Sequence, residues 1–163
     1  MNAAFRTALF TLIVPGPVTV LFPRWLIGRG VHPQLTGGLL SKILGAVLIA
    51  LGASIYFKCA SDFAFRSRGT PSPIDPTKEF VATGLYRFIR NPMYIGVVCV
   101  LLGEAGWFRS LALLEYSLAF LLSAHVFVLL YEEPYLRGRF GSTYETYLAT
   151  VPRWIPHLSR SRA

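Results

Sequence analysis

"NPMYIGVVCVLLGEAGWFRSLALLEYSLAFLLSAHVFVLLYEEP", residues 91–134, holds two apolar runs separated only by Arg109 and Ser110. The runs, about 92–108 and about 111–131, approach the roughly 20 apolar residues that a helix needs to cross a bilayer. So short a break predicts an antiparallel helical hairpin turning near residues 104–110. Asn91 and Pro92 suit its start, with Asn as N-cap and Pro at the first helical position.

Upstream lie two further apolar segments, about 8–22 and about 39–57. The first contains Pro15 and Pro17, which predict a kink. The second carries Gly45, Gly52, Ala53 and Ser54, small residues that let helices pack closely in a membrane, and Lys42, which can reach back to the interface. Between the second and third segments, about 58–90, runs a polar loop whose "RGTPSPIDPTKEF" predicts irregular structure. After the hairpin, Ser142 and Glu145 fit a capping box for a short helix, about 143–149, ended by Pro152. Tyr144, Tyr147, Leu148 and Trp154 give it an expected aromatic, interfacial face.

Composition agrees with a membrane location. Of 163 residues, 53% are hydrophobic and 15% charged, against about 25% charged in soluble domains. The expected fold is therefore a single all-α polytopic membrane domain of about four spans, with a C-terminal helical hairpin. The net charge of +8 is read as positively charged loops rather than as a nucleic-acid surface. Twelve of the sixteen Lys and Arg fall in the N-terminus, the central loop and the tail, and four on the other side. That bias places both termini in the cytoplasm, in an expected bacterial inner membrane. Cys59 and Cys99 form no CxxC pair, and His32, His125 and His157 are scattered, so no metal site is expected. The oligomeric state stays open.

The hairpin brings "RFIRNPMY" opposite "LLYEEPYL". Arg87, Arg90 and Asn91 are then neighbours of Glu132 and Glu133, two of only eight acidic residues. One ion pair would suffice to tie a hairpin, and exposed pairs contribute little. Two carboxylates beside two arginines, with Tyr86, Tyr94, Tyr131 and Tyr135 near, suit a zwitterionic or cationic ligand. Gly84 and Gly96 would let backbone approach it. His125, about two turns before Glu132, shares or nears its helix face, and ionisable groups at such depth point to function. Glu104 and Glu115 are read as interfacial.

The pattern G-x-Y-x-x-x-R-x-P-x-Y-x-G, filled by Gly84, Tyr86, Arg90, Pro92, Tyr94 and Gly96, is followed by Glu132 and Glu133 and then by "FGSTYETYLATVPRWIP". Together, over about 81–156, these resemble the isoprenylcysteine carboxyl methyltransferases and their phospholipid methyltransferase relatives. The resemblance implies an integral membrane methyltransferase that uses S-adenosylmethionine without a Rossmann domain. It implies a cofactor site at the cytoplasmic edge made by Tyr86, Arg90, Asn91, Pro92, Tyr94, Gly96, Glu132 and Glu133. The chemistry agrees: carboxylates attract a sulfonium and an ammonium, and arginine binds a carboxylate.

The substrate signals conflict. Carboxyl methyltransferases usually carry His where Asn91 stands; "NPMY" and "LLYEEP" are closer to phosphatidylethanolamine methyltransferases. The tail resembles the carboxyl enzymes, yet Thr150 stands where they have arginine before Val-Pro, and Arg153 follows it. The leading expectation is N-methylation of phosphatidylethanolamine from the bilayer. Carboxyl O-methylation of a prenylated cysteine and a non-enzymatic membrane scaffold are the alternatives. An amine acceptor needs a base or a water route, from Glu132, Glu133, His125 or a tyrosine. A carboxylate acceptor needs a clamp such as Arg87 or Arg153. Arg153, Tyr144, Tyr147 and Trp154 form the expected substrate side.

Overall fold

A computed structural model of the chain describes residues 3–29, 35–66 and 83–156. The Pro-rich part of the central loop, His32, His157, Lys78, Arg160 and Arg162 lie outside the described residues. Every regular element described is helical. Helix α1 (Ala3–Ile13) leads through a π turn (Pro17–Leu21) into α2 (Phe22–Gly28). Helix α3 (Gly38–Arg66) follows, then a 3₁₀ turn (Gly84–Arg87), α4 (Pro92–Phe108) and α5 (Leu111–Phe127). A second π turn (Val128–Glu132) leads into α6 (Glu133–Phe140) and α7 (Ser142–Thr150).

Among the described residues, three helical stretches are long and apolar enough to cross a membrane: Thr7–Gly28, Gly38–Asp62 and Leu111–Phe140. The 17-residue α4 lies at the short end of the roughly 17–25 residues used for crossing. Exposed Leu, Ile, Val and Phe cover the outer faces of α1, α3 and α5, as expected where lipid replaces water. Polar side chains within these helices bond back to their own backbone. Ser54, Ser117 and Ser123 hydroxyls donate to carbonyls four residues earlier, at 2.7, 2.6 and 2.8 Å.

The hairpin turn is as tight as its two-residue break requires. Arg109 takes a left-handed conformation, φ 52°, and Ser110 caps α5 by accepting from the Leu113 amide at 3.3 Å. Asn91 precedes α4 but makes no side-chain cap bond; its amide is used elsewhere.

Helices α3 and α4 cross antiparallel through glycine. A Cβ on Gly52 would lie 2.5 Å from the Gly96 carbonyl oxygen, and one on Gly45 would lie 2.6 Å from that of Gly103. The two backbones are in contact at both crossings. Gly96, expected to admit a ligand, is thus occupied by α3. Leu101, Val97, Tyr56 and Ala60 form the core beside this seam. Helix α1 joins through the Tyr56 hydroxyl donating to Thr11 Oγ1 at 2.9 Å. The Tyr116 hydroxyl donates to the Val18 carbonyl, inside the first π turn, at 3.0 Å.

Three expectations are corrected. The second apolar helix does not stop near 57; α3 runs to Arg66, its last turns tied by Lys58 Nζ–Asp62 Oδ1 at 2.6 Å. The last long helix does not stop near 131 but continues through Pro134 to Phe140. The capping box does not form. Gly141, with φ 52° and ψ −130°, a conformation open chiefly to glycine, makes the α6–α7 joint, and Glu145 instead pairs with Arg137 at 3.3 Å.

Both π turns have one physical cause. Each ends two residues before a proline, Pro23 or Pro134, placed early in the following helix. Proline lacks an N–H and its ring crowds the carbonyl four residues back. Widening the turn relieves that crowding and keeps the helix going.

Candidate active site

The C-terminal end of α3, the 3₁₀ turn, the start of α4, the second π turn and α6–α7 meet at one end of the molecule. Residues 151–156 strap this end. The Arg90 amide donates to the Pro152 carbonyl at 2.9 Å, and Asn91 Nδ2 donates to the Arg153 carbonyl at 3.3 Å. The Asn amide therefore fixes the strap instead of capping α4.

Glu133 is the centre of an ion-pair cluster. Arg90 Nη1 donates to its Oε1 at 2.9 Å. Arg153 binds it with both ends of the guanidinium, Nε to Oε1 at 2.8 Å and Nη2 to Oε2 at 3.0 Å. The Glu133 side chain is 9% exposed and that of Arg90 13%. Hydrogen bonding to Glu133 raises the Arg153 guanidinium above its ordinary value. A two-pronged bond of this kind is strong and directional.

Removing one member of a buried ion cluster is costly because the partners stay buried without compensation. Glu133→Gln is therefore expected to destabilise the protein by about 3–5 kcal/mol, read as a lowered thermal midpoint in detergent. An unchanged midpoint would contradict this.

Glu132 has a different setting. It is half-buried, and Tyr94 donates its hydroxyl to Oε2 at 3.2 Å. No cation pairs with it among the described residues. The π turn creates the difference. One extra residue in a turn rotates everything after it by about 100° relative to an α-helix. The face that His125 was expected to share with Glu132 is shifted accordingly, and Glu133 turns inward onto the two arginines.

Tyr86 lies at the turn before α4, its carbonyl accepting from the Tyr147 hydroxyl at 2.7 Å. Burial, then Cys59 and Glu132, push the Tyr86 hydroxyl well above the phenol range, so it stays a neutral donor. Gly84, φ +61°, passes against the Asp62 carboxylate with no room for a Cβ. Pro92 is buried at the start of α4.

Tyr144 and Tyr147 are 3% and 8% exposed and pack with Val151, Leu136 and Phe140. They form the small core of the α6–α7 unit, not the exposed aromatic face expected of them. Burial pushes the Tyr144 hydroxyl up to about 12. Tyr131 and Tyr135 stack on each other, rings 6.2 Å apart, with Phe127 beyond at 5.2 Å; Tyr131 is 49% exposed. Arg87 is exposed and makes no ion pair among the described residues. Trp154 donates Nε1–H to His125 Nδ1 at 2.9 Å. Glu115 is exposed and Glu104 half-buried.

Arg90, Asn91, Glu133 and Arg153 are thus joined by direct bonds, Tyr94 and Glu132 form a second bonded pair, and Tyr86, Tyr147, His125 and Trp154 belong to the same end. Sequence reasoning placed the arginines and glutamates together but missed the strap. Its bonds span 62 residues between Asn91 and Arg153 and 20 between Arg153 and Glu133, with no local pattern to mark them.

A family model described as phospholipid methyltransferase (PEMT) matches residues 40–143. The chain belongs to the phospholipid methyltransferase family. The match runs from α3 through α6, so it contains the glycine seam, the hairpin and both glutamates. No curated protein and no solved structure matches the chain. As a member of the phospholipid methyltransferase family, this all-α membrane protein carries a methyltransferase fold of the membrane-embedded kind.

Proposed function

We propose that the chain uses S-adenosylmethionine to methylate the amino head group of a phosphatidylethanolamine-like lipid. The unequal state of the two glutamates supports this most directly. Two guanidinium groups neutralise Glu133, whereas Glu132, among the described residues, meets only the Tyr94 phenol. A half-buried carboxylate without a cationic partner attracts one, and the methyl donor carries an ammonium and a sulfonium. The donor set therefore fits the group: Glu132 for its positive end, the rings of Tyr94 and Trp154 for cation–π contact, and Arg87 for its carboxylate.

When bound, S-adenosylmethionine supplies an electrophilic methyl group on positively charged sulfur. The chain's residues orient and enclose. Glu132 holds the donor's positive charge, and Tyr94 fixes that carboxylate. The ion cluster at Glu133 holds the strap against α4 and limits water. Positioning of this kind contributes up to about 7–11 kcal/mol in well-aligned cases. The acceptor amine loses its proton before attack, and the half-exposed end gives that proton a route to water. The lipid enters sideways between four membrane crossings. The site and both termini face the cytoplasm of a bacterial inner membrane, which reporter fusions at residues 1 and 163 would check.

A second reading, carboxyl O-methylation of a prenylated-cysteine-like substrate, draws on Arg87, an exposed cation with no ion pair among the described residues and able to clamp a carboxylate. Methyl-labelled donor separates the two in one experiment. Base-stable label in extracted lipid supports N-methylation; base-labile label supports the ester. Label in neither, with no binding of S-adenosylhomocysteine by calorimetry, overturns the enzymatic reading and leaves a membrane scaffold.

A further inference from the structure

Four side chains from separate parts of the chain form a connected circuit at the site end. Trp154, from the C-terminal strap, donates its indole N–H to His125 Nδ1 at 2.9 Å. Its ring meets that of Tyr94 edge-on, with centroids 6.4 Å apart and planes at 69°. Tyr94 donates to Glu132 Oε2 at 3.2 Å. Glu132 closes the circuit, because it continues the helix that carries His125, one π turn away.

We infer that His125 is a positioning residue for the methyl-donor site, acting through Trp154 and Tyr94 on Glu132. This rests on the reading of Glu132 as the carboxylate that holds the donor's positive charge. Indole is a donor only, and neutral imidazole offers one acceptor nitrogen. The 2.9 Å bond to Nδ1 therefore puts the remaining ring proton on Nε2 and fixes both rings against each other. Trp154 is next to Arg153, whose two bonds to Glu133 fix the strap's depth but not the rotation of the indole. The His125 bond sets that rotation. The indole in turn limits the swing of the Tyr94 ring, edge-on to it, and so the place of the hydroxyl that holds Glu132. A proton-transfer role for His125 is not required by this arrangement. Its acceptor nitrogen is taken by a group that cannot receive a proton.

The test uses the full chain in detergent or nanodiscs. His125→Leu removes the acceptor. His125→Asn keeps one, with Oδ1 close to where Nδ1 stood. Trp154→Phe keeps the ring and removes the N–H. His125→Leu and Trp154→Phe are each expected to raise KM for S-adenosylmethionine about tenfold, with kcat within about twofold, and His125→Asn to return KM to within about threefold of wild type. If His125→Leu does not fold, Trp154→Phe carries the comparison. A fall in kcat with KM unchanged, or His125→Asn as impaired as His125→Leu, overturns the inference. Failure of the wild type to bind S-adenosylhomocysteine sinks the reading of the site itself, and this inference with it. Unchanged KM in both variants, on a wild type that binds, sinks this inference alone.

Discussion

Glu132→Gln is expected to lower kcat/KM for S-adenosylmethionine while leaving thermal stability near wild type. The side chain keeps its size, and the Tyr94 hydroxyl, now 3.2 Å from a carboxylate oxygen, can still donate to the amide oxygen. What is lost is the charge facing the donor's cation. Truncating one side of a desolvated charge pair costs about 2–4 kcal/mol, or roughly 30- to 1,000-fold. Because Glu132 is half-buried, the lower part of that range is expected. Glu133→Gln should behave in the opposite way and lose stability first, because two guanidinium groups depend on that carboxylate. Adjacent residues of one type, changed in one way, should thus separate into an activity defect and a stability defect. An active Glu132→Gln enzyme would contradict the assignment, as would a stable but inactive Glu133→Gln variant.

This separation was not legible in the sequence. "YEEP" shows two carboxylates and a proline just past the end of the apolar run, expected near residue 131. In the structure the proline widens the preceding turn and the helix goes on to Phe140. The register shift that sends Glu133 inward follows from that widening, so it depends on a backbone detail that no apolar period encodes. The hairpin was legible for the opposite reason. Its limits are written in strong local signals, Pro92 at the start of α4 and Ser110 before α5, and α4 falls on 92–108 as expected. Helix α3 overran its expected end because Lys58 and Asp62 read as loop. On the helix they pair one turn apart, and Cys59 and Ala60 are buried between them. From the sequence, Tyr144 and Tyr147 suit an aromatic, interfacial face of the short helix. That face is covered by Leu136 and Phe140 of α6, a helix that lies beyond the apolar run and carries no apolar period to announce it.

The glycine seam yields the largest expected effect on folding, and a control of the same chemistry. Gly→Ala within a helix ordinarily stabilises it by about 1 kcal/mol. At Gly138 in α6 an added Cβ meets nothing within 4 Å, so Gly138→Ala should raise the thermal midpoint or leave it unchanged. At Gly52 the same Cβ would lie 2.5 Å from the Gly96 carbonyl oxygen and 2.8 Å from the Val100 amide nitrogen. These are backbone atoms, which cannot rotate away as a side chain could, so α3 and α4 must move apart. Gly52→Ala should therefore lower the midpoint despite its better helix propensity. Gly52→Leu should cost about 3 kcal/mol or more, at the upper end of overpacking penalties. Membrane helices lack the hydrophobic drive that water supplies, so close backbone packing holds them together. The consequence reaches the site, because Gly52 is one turn before Tyr56 on α3 and faces the glycine two residues after Tyr94 on α4. Gly52→Leu should lose S-adenosylhomocysteine binding together with stability, whereas Glu132→Gln loses binding alone. Equal midpoints for Gly52→Ala and Gly138→Ala would show that the two helices do not meet as closely as described.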